Sequence, residues 1–320
     1  MSNMTAATRP PEPDFATITP EDLIAYRNAE NRFRASAAAR KLLGEPDASA
    51  VIEWQEIALS GRDVPVRVYR PRPTDTGEDV AKPALPLVLH VHGGGFVGTA
   101  VQCDWTNSHL AARLPAVVVS VEHRLVAPDS PLPNAAADAW DVLWHVARHA
   151  DHWGVDPARI AVFGESFGAL LSALSAARAR DADLALKAQV LVNPVVDVTE
   201  TMFGYPSMAE YALSPTRARP LLRFLQQLCV PPGADARACS PLYADDLSGL
   251  APALVVIPTQ DALADHGHRY AERLREAGTS VRLSEYPGAK HAFLTLPGVE
   301  PQAETAQAEI LSFLRTALAK

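Results

Sequence analysis

Residues 160–169 read Ile160-Ala161-Val162-Phe163-Gly164-Glu165-Ser166-Phe167-Gly168-Ala169. The first four are apolar without alternation, as in a strand covered on both faces. Residues 167–179 carry the composition of a helix. A serine between two glycines, on the corner where a strand turns into a helix, is held in a strained backbone conformation that exposes its hydroxyl. Ser166 is therefore the candidate nucleophile.

Upstream, the apolar run 87–91 leads into His92-Gly93-Gly94-Gly95-Phe96. Attack on an acyl carbonyl puts negative charge on its oxygen, and backbone N–H groups with no side chains in the way can receive it. The glycines have neither the G-K-[ST] ending nor the G-x-G-x-x-G spacing of nucleotide loops. His92 reads as a brace for the loop. Further apolar runs at 116–121, 189–192, 254–257 and 281–285 alternate with helical stretches at 104–113, 134–149, 265–277 and 302–319. That alternation predicts an α/β fold with a mostly parallel sheet. The runs 51–59 and 64–69, joined by Ser60-Gly61-Arg62-Asp63, predict an antiparallel hairpin at its start.

A serine hydroxyl is a weak nucleophile and needs a base and an orienting acid. With the nucleophile on such a turn, acid and histidine follow it in the chain. His291 lies beyond the last predicted strand, where catalytic groups gather in α/β sheets. His266 and His268 fall at a helix start and read as solvated. Asp261 follows the run 254–257 and is the first choice of acid. Asp265 reads as the cap of the next helix, Asp197 is the topological alternative, and Glu165 reads as a structural hydrogen-bond partner.

The chain has 320 residues, 48% hydrophobic and 21% charged, with 37 acidic against 29 basic residues and a net charge of −8. This composition is that of a folded globular protein, and no nucleic-acid partner is expected from it. Three cysteines without a CxxC pair indicate neither a disulfide framework nor a cysteine zinc site, and a cytoplasmic location is expected. No run reaches the roughly 18 apolar residues of a membrane span, and residues 1–15 lack the pattern of an export signal. Thr19-Pro20-Glu21-Asp22 reads as the start of a helix of about 20 residues. Residues 198–250 hold no strand pattern, and a structureless loop of about 50 residues is improbable, so they are expected to form a helical insertion.

The ordered set HGGGF at 92–96, GESFG at 164–168, Ser240-Pro241-Leu242, Asp261-Ala262-Leu263 and His291-Ala292-Phe293 resembles the hormone-sensitive-lipase-like carboxylesterases, bacterial esterase family IV. The resemblance covers residue 83 to the end. It implies an α/β-hydrolase fold with an eight-stranded, mostly parallel sheet flanked by helices, under a helical cap. It also implies the triad Ser166, Asp261 and His291, an oxyanion hole from the N–H groups of Gly94, Gly95 and Phe167, and no cofactor or metal. The segments expected are 1–50 as N-terminal cap, 51–197 and 251–320 as the two parts of the core, and 198–250 as the cap insertion. A small-molecule ester is the expected substrate, of small to medium acyl size. The segment 280–286 at the sheet edge offers a surface for a homodimer.

The chain departs from the family pattern at Glu165, Phe167, Ala169 and Ala262, and in Arg124-Leu125-Val126-Ala127-Pro128-Asp129, where Val126 is an extra residue. Phe167 stands where the family has alanine, and its ring is expected either to narrow the acyl site, the favoured reading, or to pack beneath it against the helix. Acyl transfer, amide hydrolysis and lactone opening use the same machinery. A non-catalytic receptor, as in the gibberellin receptors that resemble this family and lack the histidine, is disfavoured by His291.

Overall fold

The computed structural model describes residues 8–73, 83–211 and 215–319. Eight strands run Ala50–Leu59 (β1), Arg62–Pro71 (β2), Leu85–Val91 (β3), Val117–Val121 (β4), Val155–Glu165 (β5), Ala188–Val192 (β6), Ala253–Gln260 (β7) and Val281–Lys290 (β8). The helices are Pro20–Arg34 (α1), Arg40–Leu43 (α2), Asp104–Arg113 (α3), Leu132–Arg148 (α4), Ala150–Trp153 (α5), Phe167–Asp181 (α6), Pro206–Glu210 (α7), Pro215–Cys229 (α8), Ala264–Glu276 (α9) and Ala303–Ala317 (α10).

The strands form one sheet in the order β1-β2-β4-β3-β5-β6-β7-β8. Its first two pairings, β1 with β2 and β2 with β4, are antiparallel, and every later one is parallel. The apolar strands are explained by burial on both faces. Leu87, Leu89, Val91, Val162 and Val255 point into one core with Leu143 of α4, Leu170 of α6 and Leu274 of α9. Val88, Val118, Phe163, Val190 and Val256 point into the other, with Leu110 of α3 and Ile310 and Leu314 of α10. Helices therefore cover both faces, and the loops after β3, β5, β6, β7 and β8 open at one edge of the sheet.

Three elements differ from expectation. Thr19 caps α1 as expected, accepting from the Asp22 N–H, but the helix ends after 15 residues at Arg34. Ser36 accepts from the Ala39 N–H through both its carbonyl (3.2 Å) and its hydroxyl (3.3 Å), a local turn that competes with helix despite the alanines around it. β5 and β8 extend beyond their apolar runs because Pro157 and the Pro287-Gly288 pair sit at positions the sheet tolerates.

The insertion contains α7, α8 and three short 3₁₀ turns, and no strand among its described residues. α8 lies over the glycine loop together with the N-terminal segment. The Phe15, Phe96 and Phe224 rings meet at centroid distances of 5.4–5.8 Å.

Candidate active site

Ser166 sits between β5 and α6 with φ 54° and ψ −114°, a left-handed-side conformation rare for a residue with a side chain. The turn is locked by its own backbone: the Ser166 N–H donates to Val192 O at 2.9 Å, and Ser166 O accepts from Ala169 and Val195. The flanking glycines are needed for close approach. A Cβ on Gly168 would lie 2.0 Å from Val91 O, and one on Gly164 would lie 2.2 Å from Gly168 O.

The loop after β3 passes beside this turn. Gly94 adopts φ 116°, where a Cβ would strike Val97 O at 1.8 Å. Among the described residues, the N–H groups of Gly94, Gly95 and Phe167 find no acceptor. Gly95 O is held by Val126 N–H at 3.0 Å, so the apparent insertion at Val126 is part of the loop's support. His92 is buried beneath, its Nδ1 bonded to Gly93 O at 3.0 Å and its ring stacked on His123 at 4.3 Å. Burial, and then the neighbouring His123, push its pKa well below the usual range, which suits a neutral brace.

Ser166 Oγ lies 2.9 Å from His291 Nε2, and His291 Nδ1 lies 2.7 Å from Asp261 Oδ2. Asp261 is buried, and its other oxygen accepts from Leu263 N–H at 3.0 Å. The His291 ring is 38% exposed, at the open side of the group. Loss of water lowers its pKa, but the Asp261 charge and hydrogen bond, with Glu165 adding to them, raise it by more, for a net rise. The arrangement can pass a proton from the Ser166 hydroxyl to Nε2 while Asp261 holds the proton on Nδ1.

The other candidates lie elsewhere. Asp197 is buried and accepts from Tyr205 OH (2.6 Å), Tyr243 OH (3.2 Å) and Thr199 N–H (2.7 Å), with no bond to His291. Asp265 does not cap α9, whose N-cap is Leu263. It accepts from the Ser207 N–H at 2.8 Å and so ties the insertion to α9. His266, expected in solvent, is fully buried because α9 turns that face onto the loop after β6, where its Nδ1 accepts from Val196 N–H at 3.2 Å. His268 remains at the surface, 3.3 Å from Glu285.

Glu165 is buried, and Thr295 donates to it at 2.6 Å. His90 and Cys103 also face Glu165, and the donor atoms of the three lie within 4.8 Å of one another. They fit a hydrogen-bonded network better than a metal site. His90 Nδ1 lies 3.1 Å from Asn107 Nδ2 and 2.9 Å from Ser120 Oγ. Burial, and then the Glu165 charge, keep the Cys103 thiol protonated. Thr295 escaped the sequence reading because a lone threonine four residues past the histidine carries no motif.

A family model for the alpha/beta hydrolase fold matches residues 88–295. The carboxylesterase NlhH of Mycobacterium tuberculosis is 36% identical over 276 residues, 83% of each chain. The chain belongs to the alpha/beta hydrolases. Within them it is a member of the hormone-sensitive-lipase-like carboxylesterases and a carboxylic ester hydrolase. The ethyl acetate hydrolase of Pseudomonas putida is 33% identical to this esterase over 298 residues, covering 90% of it and 89% of the relative. The hyperthermophilic esterase from Pyrobaculum calidifontis superposes on the fold with a TM-score of 0.81 at 31% identity, over 93% of this chain and 95% of that one.

Of the two expectations for Phe167, packing beneath the site is the one its burial favours. Its ring is only 1% exposed and packs under the glycine loop, where a Cβ on Gly95 would come within 3.3 Å of it, and beside His123 at 5.6 Å. α6 directs this side chain into the core, where it fills space that a methyl would leave.

Proposed function

We propose that this esterase cleaves small to medium acyl esters through an acyl-enzyme on Ser166. The observation that carries the reading is the continuous path from Ser166 Oγ through His291 to Asp261, with links of 2.9 and 2.7 Å. His291 removes the proton as Ser166 Oγ attacks the ester carbonyl, and Asp261 fixes the imidazole tautomer and stabilises the imidazolium. The tetrahedral oxyanion is received by the N–H groups of Gly94, Gly95 and Phe167. His291 then protonates the departing alcohol, and the same groups run the sequence in reverse order with water to release the acid.

Acyl size is supported by crowding over the glycine loop: Leu225 of α8 lies where a Cβ on Gly95 would come within 2.7 Å. Residues 1–50 and 198–250 act as a cap on the core of 51–197 and 251–320. Residues 1–7 and 212–214 of those segments lie outside the described residues. β8 is one of the sheet's two edge strands, and its free edge is where two copies pair as a homodimer, which solution size measurement tests. Among the described residues no helix is long and apolar enough to cross a membrane. Cys103, Cys229 and Cys239 are all unpaired, in keeping with the cytoplasm.

The deciding experiment combines a panel of acyl esters, amides and lactones with mass spectrometry after a fluorophosphonate. Ester turnover with the label on Ser166 supports the reading. Labelling elsewhere, or turnover that survives Ser166→Ala, overturns it.

A further inference from the structure

The inner face of α1 is unusual for a helix packed on a core. Below the buried Leu23, the stripe that faces inward is Arg27, Glu30, Asn31 and Arg34, all polar, where burial alone favours apolar residues at this spacing. Each of three of these side chains reaches the glycine loop or its support. Arg27 Nε donates to Phe96 O at 2.7 Å, and its Nη2 donates to Val126 O at 2.8 Å. Asn31 Oδ1 accepts from Gly98 N–H at 2.8 Å. Arg34 donates to Gln102 Oε1 at 2.6 Å, and Gln102 Nε2 donates to Gly93 O at 3.3 Å.

These bonds close a ring around the loop. Val126, whose carbonyl Arg27 holds, itself holds Gly95 O, while the other branch of the Arg27 guanidinium holds the next carbonyl along, Phe96 O. The held carbonyls belong to the Gly95-Phe96 and Phe96-Val97 peptides, and the Val97 N–H of the second donates to Gly94 O at 3.4 Å, in the peptide that carries the Gly95 N–H. Gly94, Gly95 and Gly98 all have positive φ, so the loop is made of residues that adopt several other conformations readily. Something outside the loop has to select one. Arg27 meets no carboxylate within ion-pair distance among the described residues, so the donors of this half-buried guanidinium are spent on two main-chain carbonyls.

We propose that Arg27, supported by Asn31, is a positioning residue that aims the Gly94 and Gly95 N–H groups at the transition-state oxygen. This rests on the reading of those groups as oxyanion donors. On this view α1 contributes to turnover itself and is more than a cover for the site.

The test uses the full-length protein and two probes: a short-chain p-nitrophenyl ester, and a trifluoromethyl ketone of matching chain length. Ser166 Oγ adds to the ketone carbonyl, its proton passes to His291, and the resulting alkoxide occupies the oxyanion position. Displacement of reacting groups by about 1 Å costs on the order of 100-fold, so Arg27→Ala should lower kcat by about 10- to 100-fold with KM within about twofold. Ketone affinity should fall by the same factor, and millimolar guanidinium should restore part of both. Asn31→Ala, which removes one acceptor and no charge, should show the same pattern at about three- to tenfold.

Both variants retaining kcat and ketone affinity within twofold would overturn the proposal. So would a loss of kcat in either with ketone affinity unchanged. Should Arg27→Ala fail to fold, Asn31→Ala decides on the same criteria. Failure of the underlying reading looks different: wild-type protein would bind the trifluoromethyl ketone no better than the corresponding methyl ketone.

Discussion

Thr295 donates a 2.6 Å hydrogen bond to the carboxylate of Glu165, the residue immediately before Ser166. The turn bearing Ser166 and the loop bearing His291 are thereby joined through buried atoms, independently of the bond between Ser166 and His291. Thr295→Val leaves a buried carboxylate oxygen without its donor, at a cost of about 1–3 kcal/mol. Denaturant titration should register that loss, and turnover should fall with it. A variant of unchanged midpoint would mean that the link is dispensable.

Ser166→Ala and His291→Ala should each lower kcat by on the order of 10⁶, because the groups act as a unit. Stopped-flow comparison against rigorously purified protein checks this, and one tenth of wild-type turnover in either variant contradicts the assignment. Chelators should leave the wild-type rate unchanged, since the proposed steps use only side chains and main-chain amides.

On the proposed mechanism His291 must be neutral to accept the serine proton. Its pKa is raised by Asp261 and Glu165, so activity is lost as pH falls through a value above the ordinary histidine figure of about 6.5. Glu165→Gln removes one of the raising charges, and the acid limb of kcat/KM should move to lower pH. Asp261→Asn should cost about 10⁴ in kcat through the wrong tautomer. Asp197→Asn, whose partners are Tyr205, Tyr243 and Thr199, should be far milder in turnover. The reverse ranking would move the acid to Asp197.

Burial holds the His266 pKa down at about 4 against the opposing pull of Asp197, Asp261 and Asp265. An unfolded chain takes up this proton near pH 6.5 while the folded one does not, so stability falls as pH drops from about 6.5 to about 4. The contribution is on the order of 3 kcal/mol across that window. His266→Gln should flatten this part of the stability curve. An identical slope in wild type and variant assigns the effect to other groups.

Phe167→Ala should open a cavity under the glycine loop and destabilise by about 3–5 kcal/mol. Since the ring is packed away from open space, relative kcat/KM across acetyl to decanoyl esters should keep its wild-type order. A tenfold shift toward longer chains would restore a steric role in specificity.

The sheet was readable because parallel strands covered on both faces are nearly uninterrupted apolar runs, and α3 matches its predicted limits of 104–113. The turn at Ser166 was readable because its glycines answer to backbone contacts near 2 Å that permit no other residue. What escaped were features set by tertiary approach. The burial of His266 depends on where α9 settles, and the inward direction of Phe167 depends on the rotation of α6. The polar stripe of α1 looks like an ordinary solvated face until the glycine loop is placed against it.

β8 has a strand on one side only, and its pairing with β7 shifts register between Pro258 and Gln260, just before His291. Edge elements open at lower free energy than the sheet's centre. His291 thus follows directly on an edge strand, while Ser166 is set at the end of a strand in the sheet's interior. Warming should therefore silence the enzyme reversibly while most of its secondary structure persists, and reagents that trap Ser166 unaided by the base should still find that serine in its place.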